Sequence, residues 1–436
     1  MIDRKSLTKA LGRQELADWV LVERDQELAV LDDGVRRTEQ RTRWQLVVHA
    51  DTANGRGTSH VSIDANEGDP DKAVEQAAAL ARLSVGPAWA TIPQAAPARV
   101  DLADPALATG ELLAAADGVA KLLPRRPGAT VEPRITVVRE KVAVQARQGF
   151  HTEWSATFAR VEALVIASGH GLAILREARR TDALDLVAAV DDAIADLRLL
   201  ATAGPAVPGP CALILGPDAQ LHGGLGVWQA FVAQADPVVA RQGLTRYHER
   251  APIVPGADQL AEPLTIESNG AIPFGTASAP LGDDGDAVRK WTLVERGIAA
   301  GLGLTPREAA LRHREPNGGV RDLVVGTGTW EDTPGERPAR GNAEGGAEVK
   351  DRTTPEKVRV IEIHRLRSLV IDPYTGDGDL ELALAVDRAS GRAFTGGTVR
   401  LDLIDALARA RRSAKKIDRG AYHGPAKLLI ERADLI

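Results

Sequence analysis

Residues 221–247, LHGGLGVWQAFVAQADPVVARQGLTRY, organise the second half of the chain. Gly223, Gly224 and Gly226 mark a turn. Apolar residues then recur at three- and four-residue spacing, which predicts a helix with one buried face made by Trp228, Phe231, Val232, Ala235, Val238 and Val239. Asp236-Pro237 interrupts this pattern, because a proline inside a helix removes a hydrogen-bond donor and costs roughly 3 kcal/mol unless it begins a new first turn. We therefore predict a kink or a short break at Pro237.

The composition is typical of a globular protein with ordinary cores. The chain has 436 residues, 44% of them apolar and 26% charged, which is long enough for two domains. A formal net charge of −6 argues against a general nucleic-acid binder, which needs a basic surface. The single cysteine, Cys211, excludes an internal disulfide framework and suits a reducing compartment. The charged N-terminal stretch lacks an apolar signal core, and no apolar run approaches the roughly 18 residues of a membrane span. We expect a cytoplasmic protein with no membrane or nucleic-acid partner.

The first half repeats one order of elements: helix, four strand-like runs, helix. The two rounds extend from Leu7 to about Ser84 and from Thr109 to Leu200. In the first round, Asp69-Pro70 has the residue types of a helix N-terminus. This order predicts an α+β fold whose N-terminal domain, residues 1–203, is antiparallel and carries an internal repeat. The Pro- and Ala-rich residues 86–97 are interpreted as a linker inside that domain.

A second domain is predicted over residues 204–436, β-rich and mainly antiparallel, because short apolar runs alternate with turn residues. The boundary is placed in the Pro- and Gly-rich residues 203–210. One helix, at about 401–414, precedes a closing strand at 427–431. Residues 331–355 lack aromatic side chains and have few β formers, so they are predicted to be a mobile loop.

Three segments carry a resemblance to a known family. Residues 281–302 begin with the acidic turn Asp283-Asp284-Gly285 and continue into a strand and a glycine turn. Residues 372–377, DPYTGD, form a second turn, although Gly378 stands where an aromatic residue is usual in the family. Residues 424–429, GPAKLL, are the third segment. Together with the two-domain order and the glycine turn before the organising helix, these segments resemble the TldD/PmbA (TldE) family over most of the chain.

The resemblance places a zinc motif on the organising helix, and this sequence departs from it there. Catalytic members carry His-Glu-x-x-x-His, whose histidines bind zinc and whose glutamate polarises the metal-bound water, and a cysteine near the C-terminus completes the site. Such a site needs neutral nitrogen or thiolate donors at about 2.0 to 2.3 Å from the metal, and a carboxylate base. The matching positions here are Trp228, Gln229 and Ala233, and residues 414–436 contain no cysteine. We therefore predict no catalytic residue and no metal ligand in this chain.

This departure is similar to the PmbA/TldE-like branch, whose members lack the zinc motif. It implies a non-catalytic subunit of a heterodimeric metalloprotease, with no cofactor in this chain and zinc in a TldD-like partner. The two subunits would enclose an unfolded peptide in extended form, and Trp228, Gln229 and Ala233 would line the cavity. The apolar helix face favours Trp228 as a core residue over one that faces the peptide. Two other functions stay open: a divergent peptidase active on its own, and a homo-oligomeric peptide-binding scaffold.

Other chemistry-bearing residues have a structural interpretation that we prefer. His222 and His248, with Glu249 or Asp236, would build a substitute metal site, but their spacing matches no ligand rule and we expect turn or surface histidines. Cys211 is expected to be a small buried residue. We expect a solvated acidic turn at Asp283, Asp284 and Asp286, and a strand end rather than a phosphate loop at residues 326–330. A solvated helix end, or a contact with an acidic partner, is expected of the basic run Arg409, Arg411, Arg412, Lys415 and Lys416.

Overall fold

The computed structural model describes residues 2–66, 68–84, 86–89, 96–332 and 359–436. The loop predicted at residues 331–355 lies outside these ranges, apart from Glu331 and Asp332. The α+β fold class is confirmed, with antiparallel sheets in both halves of the chain. None of the helices in the described ranges has the length and hydropathy that crossing a bilayer requires.

The first half forms one sheet of long strands in the order β3-β2-β1-β4-β5-β6, with all neighbours antiparallel. The strands are β1 Asp18–Asp32, β2 Val35–Thr52, β3 Gly55–Asp64, β4 Ala129–Ala146, β5 His151–Ala167 and β6 His170–Ala178. Each round therefore holds three strands, and the predicted four were wrong. Polar residues do not break β1 and β4 because they pair across the strands: Gln26 Nε2 donates to Glu140 Oε1 at 2.8 Å.

Five helices accompany this sheet: α1 Arg4–Arg13, α2 Pro70–Leu83, α3 Pro105–Ala108, α4 Leu112–Ala120 and α5 Leu186–Leu200. Their apolar residues pack on one face of the sheet, which buries Leu21 and Trp44 under α1 and α2. As predicted, α2 follows the N-cap Asp69, whose carboxylate accepts the Asp71 N–H at 2.9 Å. The described part of the predicted linker packs against the sheet, because the Trp89 ring contacts the His49 ring at 5.0 Å between centroids.

The second half holds short strands that divide into two further sheets. They are β7 Gly204–Pro205, β8 Gly209–Leu215, β9 Ile266–Asn269, β10 Lys290–Glu295, β11 Ile298–Ala299, β12 Asp322–Val325, β13 Arg359–Ile371, β14 Asp377–Asp387, β15 Arg392–Thr395, β16 Thr398–Asp402, β17 Arg411–Arg412, β18 Lys416–Arg419, β19 Tyr422–Pro425 and β20 Leu428–Leu435. One sheet has the order β11-β10-β9-β12-β19-β18. In the other, β13, β8, β20, β16 and β14 pair in series and β14 pairs with β13 again, which closes five strands into a ring.

Most pairings in the second half are antiparallel, as predicted; β8 with β13, β12 with β19 and β7 with β15 are parallel. Among the described residues of the second half, five short helices connect the strands: α6 Pro217–Gln220, α7 Gln229–Gln234, α8 Pro237–Arg241, α9 Pro306–Leu311 and α10 Leu403–Arg409. The helix predicted at 401–414 is shorter because Asp402 ends β16 and caps α10, accepting the Asp405 N–H at 3.1 Å. The division into domains at residue 203 stays a prediction.

The second half contacts the first sheet through the loop between β9 and β10. Leu281 packs among the valines on the helix-free face of the sheet, including Val20 and Val144. The Phe274 N–H donates to the Asp101 carbonyl at 2.7 Å. Arg179, just after β6, donates to the carbonyl oxygens of Gly275, Thr276 and Ser278 at 2.8, 3.1 and 3.2 Å. The loop is therefore fixed to the first sheet by both apolar packing and main-chain hydrogen bonds.

A second junction is a buried ionic network centred on Asp218 of α6. The Asp218 carboxylate lies 3.3 Å from Arg176 of β6, 2.8 Å from Arg365 of β13 and 2.6 Å from Arg419 of β18. Arg365 also contacts Asp196 of α5 at 2.7 Å. Burial opposes ionisation of Asp218, but the three guanidinium groups hold its pKa below its ordinary value. One carboxylate thus connects all three sheets.

We expect Asp218→Ala to lower the free energy of unfolding by about 3 to 5 kcal/mol, because three partly buried guanidinium groups lose their shared counter-charge. Urea unfolding at neutral pH measures this. The matched control is Asp191→Ala, which removes an exposed pair between α5 and Arg126. That variant should unfold at the wild-type urea concentration, since solvent screens such pairs. Equal losses in the two variants would contradict a special role for Asp218.

Candidate functional site

A glycine turn delivers the chain to the organising helix. Gly223, Gly224 and Gly226 all have positive φ angles, of 70°, 110° and 54°. At Gly226 a Cβ atom would lie 1.9 Å from the Gln220 carbonyl oxygen, so no other residue fits there without moving the backbone. A short 3₁₀ turn, Gly226–Trp228, then leads into α7.

The predicted break at Pro237 is confirmed. Helix α7 ends at Gln234, and α8 begins at Pro237 after the N-cap Asp236, whose carboxylate accepts the N–H groups of Val238 and Val239 at 2.8 and 3.1 Å. The predicted buried face does not continue past the break, since Val238 is exposed. The sequence predicts the break because it contains Pro237. It gives no sign that Val238 is exposed after the break.

Trp228 is a core residue in this chain. Its side chain has no exposed surface, and its ring stacks on Tyr422 at 5.9 Å between centroids with an interplanar angle of 25°. The Phe231 ring lies at 6.4 Å. Burial raises the pKa of Tyr422 well above its ordinary value, partly opposed by Trp228 and Arg412. At the position that the resemblance assigns to the first zinc-binding histidine, the helix therefore contributes an aromatic stack to the core.

Gln229 and Ala233 differ from Trp228, because Gln229 is exposed and Ala233 is only half-buried. Neither an indole nor a methyl group ligates zinc, and a glutamine amide does not act as a base at neutral pH. The side chains present at the three motif positions therefore do not fit a zinc ion. Across the described part of the chain, no three His, Cys, Asp or Glu side chains converge as metal ligands would.

Two buried glutamines connect this region to the family-like turns, and the sequence analysis did not identify them. Gln234, at the end of α7, donates to the carbonyl oxygens of Pro373 and Tyr374, each at 2.9 Å, and accepts the Arg246 N–H at 2.8 Å. Gln220, at the end of α6, donates to the carbonyl oxygens of Pro425 and Ala426 at 3.0 and 2.8 Å. Both amides therefore bind backbone that is distant in sequence. Gln234 stands at the end of an apolar helical run, which is its sequence signal, whereas Gln220 ends the short helix Pro217–Gln220 and has no such signal.

The residues considered for a substitute metal site are exposed, half-buried or engaged in other contacts. His222 is half-buried, and burial lowers its pKa, whereas His248 is exposed. Glu249 pairs with Arg314 at 2.5 Å and Asp236 caps α8. Cys211 is buried in β8, and burial raises the pKa of its thiol to about 11, so the nucleophilic thiolate is scarce at neutral pH. These environments agree with the expected turn or surface histidines and with the expected small buried cysteine.

The acidic turn is not the solvated turn that we predicted. Asp283 is exposed, but Asp284 and Asp286 are largely buried. Asp284 Oδ1 lies 3.5 Å from His60 of β3, and Asp286 Oδ2 accepts the Gly318 N–H at 3.0 Å. The sequence shows a run of acidic residues. It gives no sign that the turn packs between the first sheet and residues 317–321.

A second titratable cluster was also missed. Asp322, at the start of β12, is fully buried and accepts hydrogen bonds from the Ala277 N–H at 3.2 Å and the Ser278 hydroxyl at 2.5 Å. His423 lies between this carboxylate, 3.8 Å away, and Asp418, 2.8 Å away. Burial opposes protonation of His423, but the two carboxylates raise its pKa above the ordinary value. The Ser278 hydroxyl is bonded to Asp322, so this cluster is not a nucleophile–histidine arrangement.

The two remaining candidates are structural. Residues 326–330 follow β12, as predicted for a strand end, and the Gly326 N–H donates to the Thr265 carbonyl at 2.9 Å. Of the basic run, Arg409 ends α10 and is exposed, as predicted for a solvated helix end, and Lys415 and Lys416 are also exposed, whereas Arg411 and Arg412 form β17. Arg412 is fully buried and donates to the Glu262 carbonyl at 2.7 Å.

We expect Gln234→Ala to lower the free energy of unfolding by about 2 kcal/mol, because two carbonyl groups and one N–H group lose their partner in a buried position. Gln229→Ala, five positions earlier on the same helix, is the control and should change stability by less than about 0.5 kcal/mol. Thermal and urea unfolding of both variants measure the difference. A loss in Gln229→Ala as large as in Gln234→Ala would contradict a special role for the buried Gln234 amide.

Comparison with known proteins shows what this fold is similar to. No protein-family model and no curated protein matches the chain. The solved structure of TldE from Thermococcus kodakarensis matches with a TM-score of 0.71 and 15% identity, covering 99% of each chain. Two proposed modulators of DNA gyrase match with TM-scores of 0.70. The one from Bacteroides thetaiotaomicron is 13% identical, covering 100% of this chain and 99% of its own. The one from Thermotoga maritima is 14% identical, with coverages of 96% and 95%. Over its full length, the chain has the fold of TldE and the TldD/PmbA proteins.

Proposed function

We propose that the chain is a non-catalytic, TldE/PmbA-like subunit of a cytoplasmic, heterodimeric zinc metalloprotease. It pairs with a TldD-like subunit, and together the two hold an unfolded peptide while the partner cleaves it. The observation that carries the proposal is the likeness to TldE over 99% of the chain, combined with Trp228, Gln229 and Ala233 at the zinc-motif positions.

The environment of Trp228 supports the proposal that this helix does not bind zinc. A zinc-binding histidine must direct a ring nitrogen into an open site that also admits water and substrate. The Trp228 ring instead fills the core against Tyr422 and Phe231, with no exposed surface. Restoring one ligand would therefore not restore a site, because the space is occupied by aromatic packing. Zinc is expected in the partner, where it would polarise the water that attacks the peptide bond.

Gln229 is the residue of this helix best placed to contact a peptide. Its amide is exposed and can both donate and accept hydrogen bonds, which suits the N–H and C=O groups of an extended main chain. Ala233, one turn further on, is half-buried and adds a small, flat surface. Main-chain recognition of this kind tolerates many side chains. It is consistent with an unfolded peptide as the substrate class rather than with one defined sequence.

The net charge of −6 supports a protein or peptide partner rather than DNA. Two of the structural neighbours are described as proposed modulators of DNA gyrase. We expect a role of that kind to act through protein contacts, because a chain of net charge −6 has no general basic field to displace counterions from DNA.

We expect the purified chain to contain close to no zinc and to leave an unstructured peptide intact. The same peptide should be cleaved when a TldD-like protease from the same genome is added, and faster than by that protease alone. Elemental analysis and mass spectrometry of the peptide measure the two results. About one zinc per chain, the content of a catalytic site, would overturn the proposal.

The remaining outcomes distinguish the other two functions. Hydrolysis by the isolated chain that is lost in His222→Ala or His248→Ala would identify a divergent peptidase. A uniform homo-oligomer that binds the peptide but does not bind the TldD-like protein would identify a scaffold.

Gln229→Ala should weaken peptide capture by the complex of this chain with the TldD-like protein, without weakening the association of the two subunits. The control is Gln242→Ala, which removes an exposed glutamine after α8.

A further inference from the structure

The turn at residues 282–286 has an unusual position for a cluster of carboxylates. It follows Leu281, which packs on the helix-free face of the first sheet, and the preceding Pro280 carbonyl accepts the Ala98 N–H at 2.9 Å. The turn is closed by a hydrogen bond from the Gly282 N–H to the Asp286 carbonyl at 2.8 Å. It therefore forms part of the junction between the two halves of the chain.

Charges face the turn from every element packed against it. His60 of β3 lies 3.5 Å from Asp284, and Arg24 of β1 lies 3.6 Å from Asp283 and 3.5 Å from Glu140. Arg321 lies 3.8 Å from Asp283. No guanidinium or ammonium group within ion-pair distance of Asp284 or Asp286 is found among the described residues. The guanidinium groups therefore contact the exposed Asp283, and in the described part of the chain the buried acids contact the His60 imidazole and the Gly318 N–H instead.

Asp286 is the most enclosed of the three. A Cβ atom on Gly282 would lie 2.1 Å from Asp286 Oδ1, so the turn closes directly over the carboxyl group. Its other oxygen accepts the Gly318 N–H. Burial and the neighbouring Asp284 raise the pKa of Asp286 to about 7, and burial also raises the pKa of Asp284. Asp284 and Asp286 are both shielded from water and lie close to each other, which favours a state in which one of them remains protonated.

We propose that the turn from Gly282 to Asp286 is a pH-controlled latch, which holds the second half of the chain against the first sheet while it retains a proton and loosens when that proton is lost. In the loosened state the carboxyl groups are solvated and have ordinary acidity. The closed state therefore binds more protons than the open state between about pH 4 and pH 7. Closure is favoured at the acid end of this window, weakens as pH rises to about 7 and changes little above that.

Hydrogen exchange of the intact chain between pH 5 and pH 8.5, corrected for intrinsic exchange, tests the latch. The reporters are the N–H groups of Gly282 and Gly318, which bond to Asp286. Their protection should fall by about tenfold per pH unit up to about pH 7 and then level off. Amides in the middle of β4 and β5, away from the turn, should not follow this pH dependence. Constant protection at Gly282 and Gly318 across the range would overturn the proposal.

Substitutions in the same turn distinguish the latch from a pH dependence of the stability of the whole protein. Asp286→Asn should reduce the pH dependence of the Gly318 protection to the part that Asp284 contributes, because the amide at position 286 does not ionise and still accepts a hydrogen bond. Asp284→Asn should move the change to lower pH, since the neighbouring negative charge is removed. Asp283→Asn, the exposed acid, should behave as wild type. A wild-type pH profile in both Asp286→Asn and Asp284→Asn would reject the latch, as would a pH-independent Asp283→Asn.

Discussion

The carboxylate of Asp218 is the constraint on which the arrangement of the three sheets depends. It lies on a single-turn helix, α6, and binds guanidinium groups from the last strand of the first sheet and from both sheets of the second half. An ion in such a position is costly to bury, so it is stable only while all of its partners are in place. The same helix ends in Gln220, whose amide holds residues 425–426. A four-residue helix thus fixes the orientation of the sheets and the closing segment together.

The candidate site follows from this arrangement. The segment after α6 has to turn sharply at Gly226, because the Gln220 carbonyl lies where a side chain would be. The turn places Trp228 over Tyr422, in the strand that Gln220 also supports. The position that the resemblance assigns to a zinc-binding histidine is here part of a closed aromatic stack, while Gln229 remains at the surface. Under the proposed function, the structural role of Trp228 and the recognition role of Gln229 belong to two adjacent residues.

Features with local causes could be predicted from the sequence. The Asp69-Pro70 helix start, the break at Pro237 and the mainly antiparallel second half depend on propensity and spacing. The departures depend on partners distant in sequence. β1 and β4 continue through polar residues because Gln26 and Glu140 meet across strands, and Arg412 is buried because the Glu262 carbonyl accepts its hydrogen bond. The environments of Gln234, Asp286 and Asp322 were equally invisible, since a polar residue in a single sequence carries no sign of its burial.

The ring of five strands has a consequence for how the chain folds. The first sheet is made largely of hairpins between consecutive strands, whereas Leu213 of β8 pairs with both Ile361 and Ile430. Contacts of such long sequence separation form slowly, because a large loop must close before they are gained. We therefore expect the first sheet to form early and the ring late. In the interval β8, with its run of buried apolar residues, has two unpaired edges, which exposes this segment to aggregation until its partners arrive.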